Sequence, residues 1–151
     1  MTTPINISAM FITASKRNLQ QLTQDAGFTD ASETVNHALV ALKTVKDALL
    51  KGEKIVVLQP DTLDATEIEN LTLDPTLPMT GMISMNFPAG HDQFLKSVFN
   101  CTDCATLLTE AFYVYDRLVT AHAGQLEIAA VDNPLDIARI HYIPIGPDGP
   151  R

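Results

Sequence analysis

The chain has no tryptophan, two cysteines and only ten lysine and arginine side chains among its 151 residues. Each shortage excludes something. Two cysteines cannot staple a small secreted domain, and together with five methionines they suit a reducing compartment. No apolar run approaches the ~18 residues of a membrane span. The longest, Ile55-Val56-Val57-Leu58, is strand-sized. The first residues lack a charged-then-apolar leader pattern, so a cytoplasmic protein is expected. Eighteen acidic against ten basic side chains give a formal net charge of -8, which weighs against general adhesion to nucleic acid or to anionic membranes. No nucleophile elbow, P-loop, dinucleotide fingerprint or catalytic helix motif occurs, so the sequence reads as non-enzymatic, with no cofactor implied. What is present is a globular composition, 46% hydrophobic and 19% charged.

The sequence also repeats itself. Residues 27–58 align without a gap on residues 100–131, a shift of 73. Thr29-Asp30 falls on Thr102-Asp103, Ala38 on Ala111 and Ile55 on Ile128, while Val35, Leu39, Leu42 and Val45 fall on Leu108, Phe112, Tyr115 and Leu118. Residues 67–75 follow over 139–147 with a one-residue slip, and upstream residues 7–11 resemble residues 83–87. All these matches in one order point to a duplication, with repeats at 1–76 and 77–151 that together make one compact unit.

Each repeat predicts the same elements. An alternating strand (residues 5–11 and 82–87) precedes a first helix near residues 15–26 and 89–99. Gly27 and Asn100 tolerate positive φ and suit its C-cap. Thr29, Asp30 or Ser32 can cap a second, longer helix, as Thr102 or Asp103 can in the other repeat. The apolar stripe Val35, Ala38/Leu39, Leu42, Val45 and Leu49 gives that helix a buried face. After Gly52 and Gly124 a β-hairpin is expected, residues 54–58 with 67–73 and 127–131 with 137–145. The turns are Gln59-Pro60-Asp61 and Asn133-Pro134, and residues 74–78 connect the repeats. The fold class expected is α+β.

A strand, a helix, a capped turn and a longer helix resemble the ribbon-helix-helix family of the Arc and MetJ repressors. The matching residues are Ile7–Phe11, Leu19, Leu22, Gly27, the Thr29-Asp30-Ala31-Ser32-Glu33 cap and Val35 through Leu49. In the second repeat they are Ile83–Phe87 with Pro88, Leu95, Thr102-Asp103 and Leu108 through Leu118. They cover about two-thirds of the chain. The resemblance implies that the two repeats pair their strands as an intramolecular pseudo-dimer, since neither can bury its helix stripe alone. It further implies that the ribbon enters the DNA major groove, with second-helix starts gripping phosphate through backbone N–H groups. If Phe11 and Phe87 face the core, alternation leaves Asn6, Ser8, Met10, Met82, Ser84 and Asn86 to read bases. Thr29, Ser32 and Thr102 would then anchor phosphate at the helix starts, and Lys16 and Arg17 would contact the DNA backbone. As residues alone, Lys16-Arg17 is the only basic doublet, and its plainest meaning is a solvated surface pair.

Charge supports a different class of partner. Neither strand carries Arg or Lys, and the second helical unit, residues 80–131, holds two basic and five acidic side chains. Phosphate neutralisation supplies most non-specific DNA affinity, so such a chain binds DNA weakly on charge alone. The alternative to a transcription regulator is an acidic scaffold, an inhibitor or antitoxin-like protein of phage or mobile-element type, that engages a basic protein surface. The cluster Asp61, Asp64, Glu67, Glu69 and Asp74 would serve it, or would simply be a solvated strand face. Self-association through the hairpin edges is a further expectation. Cys101-Thr-Asp-Cys104 forms a C-x-x-C at a helix start, where a thiol pKa can fall. The repeat nonetheless sets these cysteines on Phe28 and Ala31, which are packing positions, and no second C-x-x-C exists, so no metal is expected. His37 and His91 are placed on exposed helix faces, His122 at a helix end and His141 on a strand, without metal-ligand spacing.

Overall fold

The computed structural model describes residues 4–59, 64–69, 71–73, 76–122 and 126–146. Strand β1 (Ile5–Phe11) turns every second side chain inward, Ile5 and Ile7 half-buried and Ala9 and Phe11 in the core. Residues 12–18 then turn, with Lys16 at φ 66, before helix α1 (Leu19–Ala26). The sequence places this helix start near Ser15. It begins later because Asn18 and Gln21 form a reciprocal capping box that fixes the first turn. Gly27, at φ 91, closes the helix, and Asp30 caps α2 (Ala31–Leu50) by accepting from the Ser32 N–H. β2 (Lys54–Leu58) and β3 (Ala65–Glu67) follow.

The same element order then recurs. β4 (Gly81–Phe87) leads through Pro88 to α3 (His91–Phe99), which starts from Gly90 rather than at Ala89. Asn100 ends it in the left-handed region. Asp103 accepts from the Ala105 N–H and the Thr106 hydroxyl at the start of α4 (Cys104–His122). β5 (Glu127–Val131) and β6 (Ile140–Tyr142) are the last elements among the described residues. The result is a mixed α+β fold with four helices and two antiparallel sheets among the described residues.

β1 and β4 form a two-stranded antiparallel ribbon in the register Asn6↔Asn86, Ser8↔Ser84, Met10↔Met82. Beneath it α4 packs against both β1 and α2. Phe11 meets Phe112 with ring centroids 5.1 Å apart, and Leu42, Val45, Leu108, Tyr115 and Leu118 fill the space between the long helices. Burying side chains of this size contributes about 1.5–3 kcal/mol each, so this shared apolar layer dominates stability.

The second sheet has the order β3-β2-β5-β6, with Val56 opposite Ala129. The two hairpins therefore join within one chain. Ile55, Ile128 and Ala130 face the helical core, whereas Val56, Leu58, Ala129 and Val131 form a second buried cluster closed by Ala65, Ile137, Ile140 and Tyr142. The outer strands are shorter and placed differently from the expected 67–73 and 137–145. Each leaves the ladder after one last bond, Ile68 N–H to Ile55 O and Ile143 N–H to Ile128 O, both 2.8 Å. Beyond these bonds Leu71, Leu73 and Ile145 pack on the helical core instead of extending a strand. The expected turn residues Pro60 and Asp61, the connector residues Asp74 and Pro75, and Gly124 lie outside the described residues.

Candidate nucleic-acid interface

Alternation along the ribbon puts Asn6, Ser8, Met10, Met82, Ser84 and Asn86 on one exposed face. Pairing turns the six residues into three cross-strand rungs. At one end Asn6 Nδ2 donates to Asn86 Oδ1 at 3.0 Å, and Asn6 Oδ1 accepts from Ser84 Oγ at 2.9 Å. Ser8 Oγ approaches the same oxygen at 3.4 Å. At the other end stand Met10 and Met82, 48% and 59% exposed. The row carries no charge. It offers amide and hydroxyl hydrogen-bonding groups at one end and a polarisable apolar surface at the other.

The helix starts are anionic. Thr29, Ser32 and Thr102 are exposed there, but the capping groups are Asp30 and Asp103. Hydrogen bonds from Ser32 hold the Asp30 carboxyl below the usual carboxylate range. The Thr106 hydroxyl, followed by the Ala105 N–H, does the same for Asp103. Each carboxylate occupies an N–H that a phosphate would use and adds a negative charge beside it.

Lys16 is exposed, but Arg17 is not the solvated partner expected from the doublet. Its side chain is 17% exposed and its donors are committed within the fold. Nε meets Asp116 Oδ1 at 2.9 Å and Ser15 Oγ at 3.0 Å. Nη1 reaches Asp25 Oδ2 at 3.0 Å, and Nη2 reaches Asp116 O at 2.9 Å and Thr120 Oγ1 at 2.6 Å. Asp116 is fully buried and also accepts from the Ser15 hydroxyl at 2.6 Å. A buried carboxylate requires such a partner, and Arg17 supplies it with a multidentate fork. Sequence reasoning missed this cluster. Its signal is Asp116, a charge inside the apolar run Ala111-Phe-Tyr-Val-Tyr-Asp-Arg-Leu-Val.

Elsewhere Lys43 pairs with Asp47 at 2.9 Å and Lys46 with Glu110 at 2.7 Å. Asp64, Glu67 and Glu69 are exposed around β3, whereas Asp61 and Asp74 of the proposed acidic cluster fall outside the described residues. The expected exposure of His37 and His91 gives way to aromatic packing. His37 sits 4.6 Å from the Phe28 ring, and His91 lies between Phe87 and Phe94 at 5.1 and 5.6 Å. His122 bonds the Leu126 carbonyl, and His141 is exposed on β6. Cys104 is buried, with its thiol 3.4 Å from Asp92 O. Burial raises its pKa, so the lowering a helix start can produce does not prevail. No cluster of three or more metal-ligating side chains occurs among the described residues. Among those residues, too, no helix is long and apolar enough to cross a membrane.

Between α2 and α3 runs an apolar groove lined by Leu39, Val40, Phe94, Leu95, Val98 and Phe99. Val40 and Phe94 are more than half exposed along it. Compared with family models, curated proteins and solved structures, the chain matches none of them.

Proposed function

We propose that the chain is a tandem ribbon-helix-helix protein, with repeats at 1–76 and 77–151 paired as an intramolecular pseudo-dimer, and that it regulates transcription by reading the DNA major groove with its β1–β4 ribbon. One observation carries this proposal: six uncharged side chains, Asn6, Ser8, Met10, Met82, Ser84 and Asn86, stand in a single exposed row on a two-stranded ribbon above paired helices. A ribbon of this width fits the major groove, and Asn can bond adenine N6 and N7 there. The helix starts and Arg17 add little to phosphate binding. Affinity then comes from base contacts and shape, and non-specific binding is weak.

The experiment is a pull-down of genomic fragments by the purified chain at low salt, followed by a salt titration on the fragments recovered. Specific fragments should be recovered with a shallow salt dependence, a slope of about -3 or less in magnitude, corresponding to about three phosphates neutralised. Recovery of no sequence above background would reject DNA reading.

The acidic protein-binding scaffold stands as the second reading, favoured by Asp30 and Asp103 at the helix starts and by the commitment of Arg17 to Asp116. In that case the acidic surface around β3, with Glu67 and Glu69 exposed, faces a basic partner, and low-salt DNA recovery fails while such a partner is retained.

A further inference from the structure

The ribbon has two chemically different ends. Residues 7–11 align on 83–87, a shift of 76, and the observed register sets Ser8 opposite its own counterpart Ser84. A two-fold axis relating the strands therefore passes between these serines. It maps Asn6 onto Met82 and Met10 onto Asn86. In two identical chains both ends of the ribbon would show the same cross-strand pair. Here one end is Asn6–Asn86 and the other Met10–Met82. The two halves of the chain have thus become complementary rather than equivalent on this face.

The ends differ in what they can recognise. The amide end has donors and acceptors already aligned in one cross-strand set, Ser84 to Asn6 to Asn86. The methionine end has no hydrogen-bonding donor and remains largely solvent-exposed. Four residues separate the two rungs, about 13 Å along the strands. That distance spans about four base-pair steps of a duplex.

We propose that this chain reads a non-palindromic duplex site in one orientation, with the Asn6–Asn86 end on adenine and the Met10–Met82 end on thymine methyl groups about four steps away. This inference rests on the DNA-reading function above. A two-fold symmetric protein is confined to sites with matching half-sites. Duplication within one chain removes that restriction, because each strand can change independently.

The test selects binding sites for the full chain from a pool of duplexes with a randomised centre, at low salt. The expected motif lacks dyad symmetry, with a strict adenine requirement at the Asn6–Asn86 end and a weaker thymine preference at the Met10–Met82 end. Asn6→Ala should lower the preference at that pair about tenfold. Met10→Asn combined with Met82→Asn changes exposed side chains only and makes the two ends alike, so its selected motif should become dyad-symmetric. Met10→Ala with Met82→Ala, which leaves the adenine end intact, should lose preference at the thymine side alone. A dyad-symmetric motif for the unaltered chain would overturn the asymmetric site while DNA reading stands. No enrichment at all would overturn DNA reading and this inference with it.

Discussion

The two halves of the chain share an element order but fasten their first helices differently. In the first half, α1 begins with the Asn18–Gln21 capping box, and Arg17 just before it is bound to buried Asp116 on α4. In the second half, α3 starts from Gly90 with no side-chain cap bond, and the residue just before that cap is Ala89, which has no charge to offer α4. α3 instead leans on Phe87 through the His91 ring and buries Leu95, while Phe94 stays 58% exposed. Position 116 shows the same divergence on the long helices. Its counterpart on α2 is Lys43, which makes only an i,i+4 pair with Asp47 near the surface. A buried ion pair thus ties α1 to α4, whereas α3 is held mainly by apolar packing, with one weak thiol contact from Cys104 to Asp92 O.

The largest test of this contrast is Asp116→Ala, which strips the buried fork of its anion. Denaturant unfolding should show a loss of about 3–5 kcal/mol, as for other broken buried pairs. Replacing Arg17 by Met and Asp116 by Leu together should recover most of that loss. Lys43→Ala, at the matching position, should cost no more than about 0.5 kcal/mol. Equal costs at positions 116 and 43 would dissolve the contrast.

Hydrogen exchange probes the same difference without substitution. Amides of α3 should exchange about five- to tenfold faster than those of α1, an effect comparable to one missing cap. Matching protection in the two helices would mean that the Leu95 contact is as good a tether as the Arg17 fork.

The second-helix caps give a smaller effect than the buried fork. Asp103 bonds two residues of the first turn, Ala105 and Thr106, and Asp30 bonds Ser32 alone, so Asp103→Ala should be the more destabilising. Its cost should reach at most about 1 kcal/mol, because the site is exposed and screened. The pH dependence follows from the depressed pKa values of both carboxyls. Their contribution is fully present above the ordinary value of 3.8 and is lost as pH falls through their lower folded-state values. Thermal melts should therefore decline below about pH 4 in the parent chain and less steeply in Asp103→Ala.

Much of this architecture was legible in the residues. Alternation sets the strand phase, so the exposed row from Asn6 to Met10 and from Met82 to Asn86 follows from burying Phe11 and Phe87. Gly27 and Asn100, both at positive φ, mark the ends of the first helices, and the apolar stripe marks α2 and α4. The starts of α1 and α3 were less legible. Ser15 and Ala89 are compatible with helix, and only the capping box at Asn18 and the turn at Gly90 displace the boundaries. The outer hairpin strands misled for a different reason. Leu71, Leu73 and Ile145 look like strand residues, but their apolar side chains are drawn to the helical core. The Arg17–Asp116 fork joins residues 99 apart in the chain, a contact that no local pattern announces.

Whether the ribbon face reads bases is decided by titrating the parent chain and an Asn6→Ala, Asn86→Ala variant against a duplex recovered from the genomic pull-down. Both side chains are exposed, so the variant should keep its melting behaviour. The variant should lose specific binding and retain only weak, salt-sensitive association. Unchanged specific affinity would contradict the claim and place the binding surface elsewhere on the molecule.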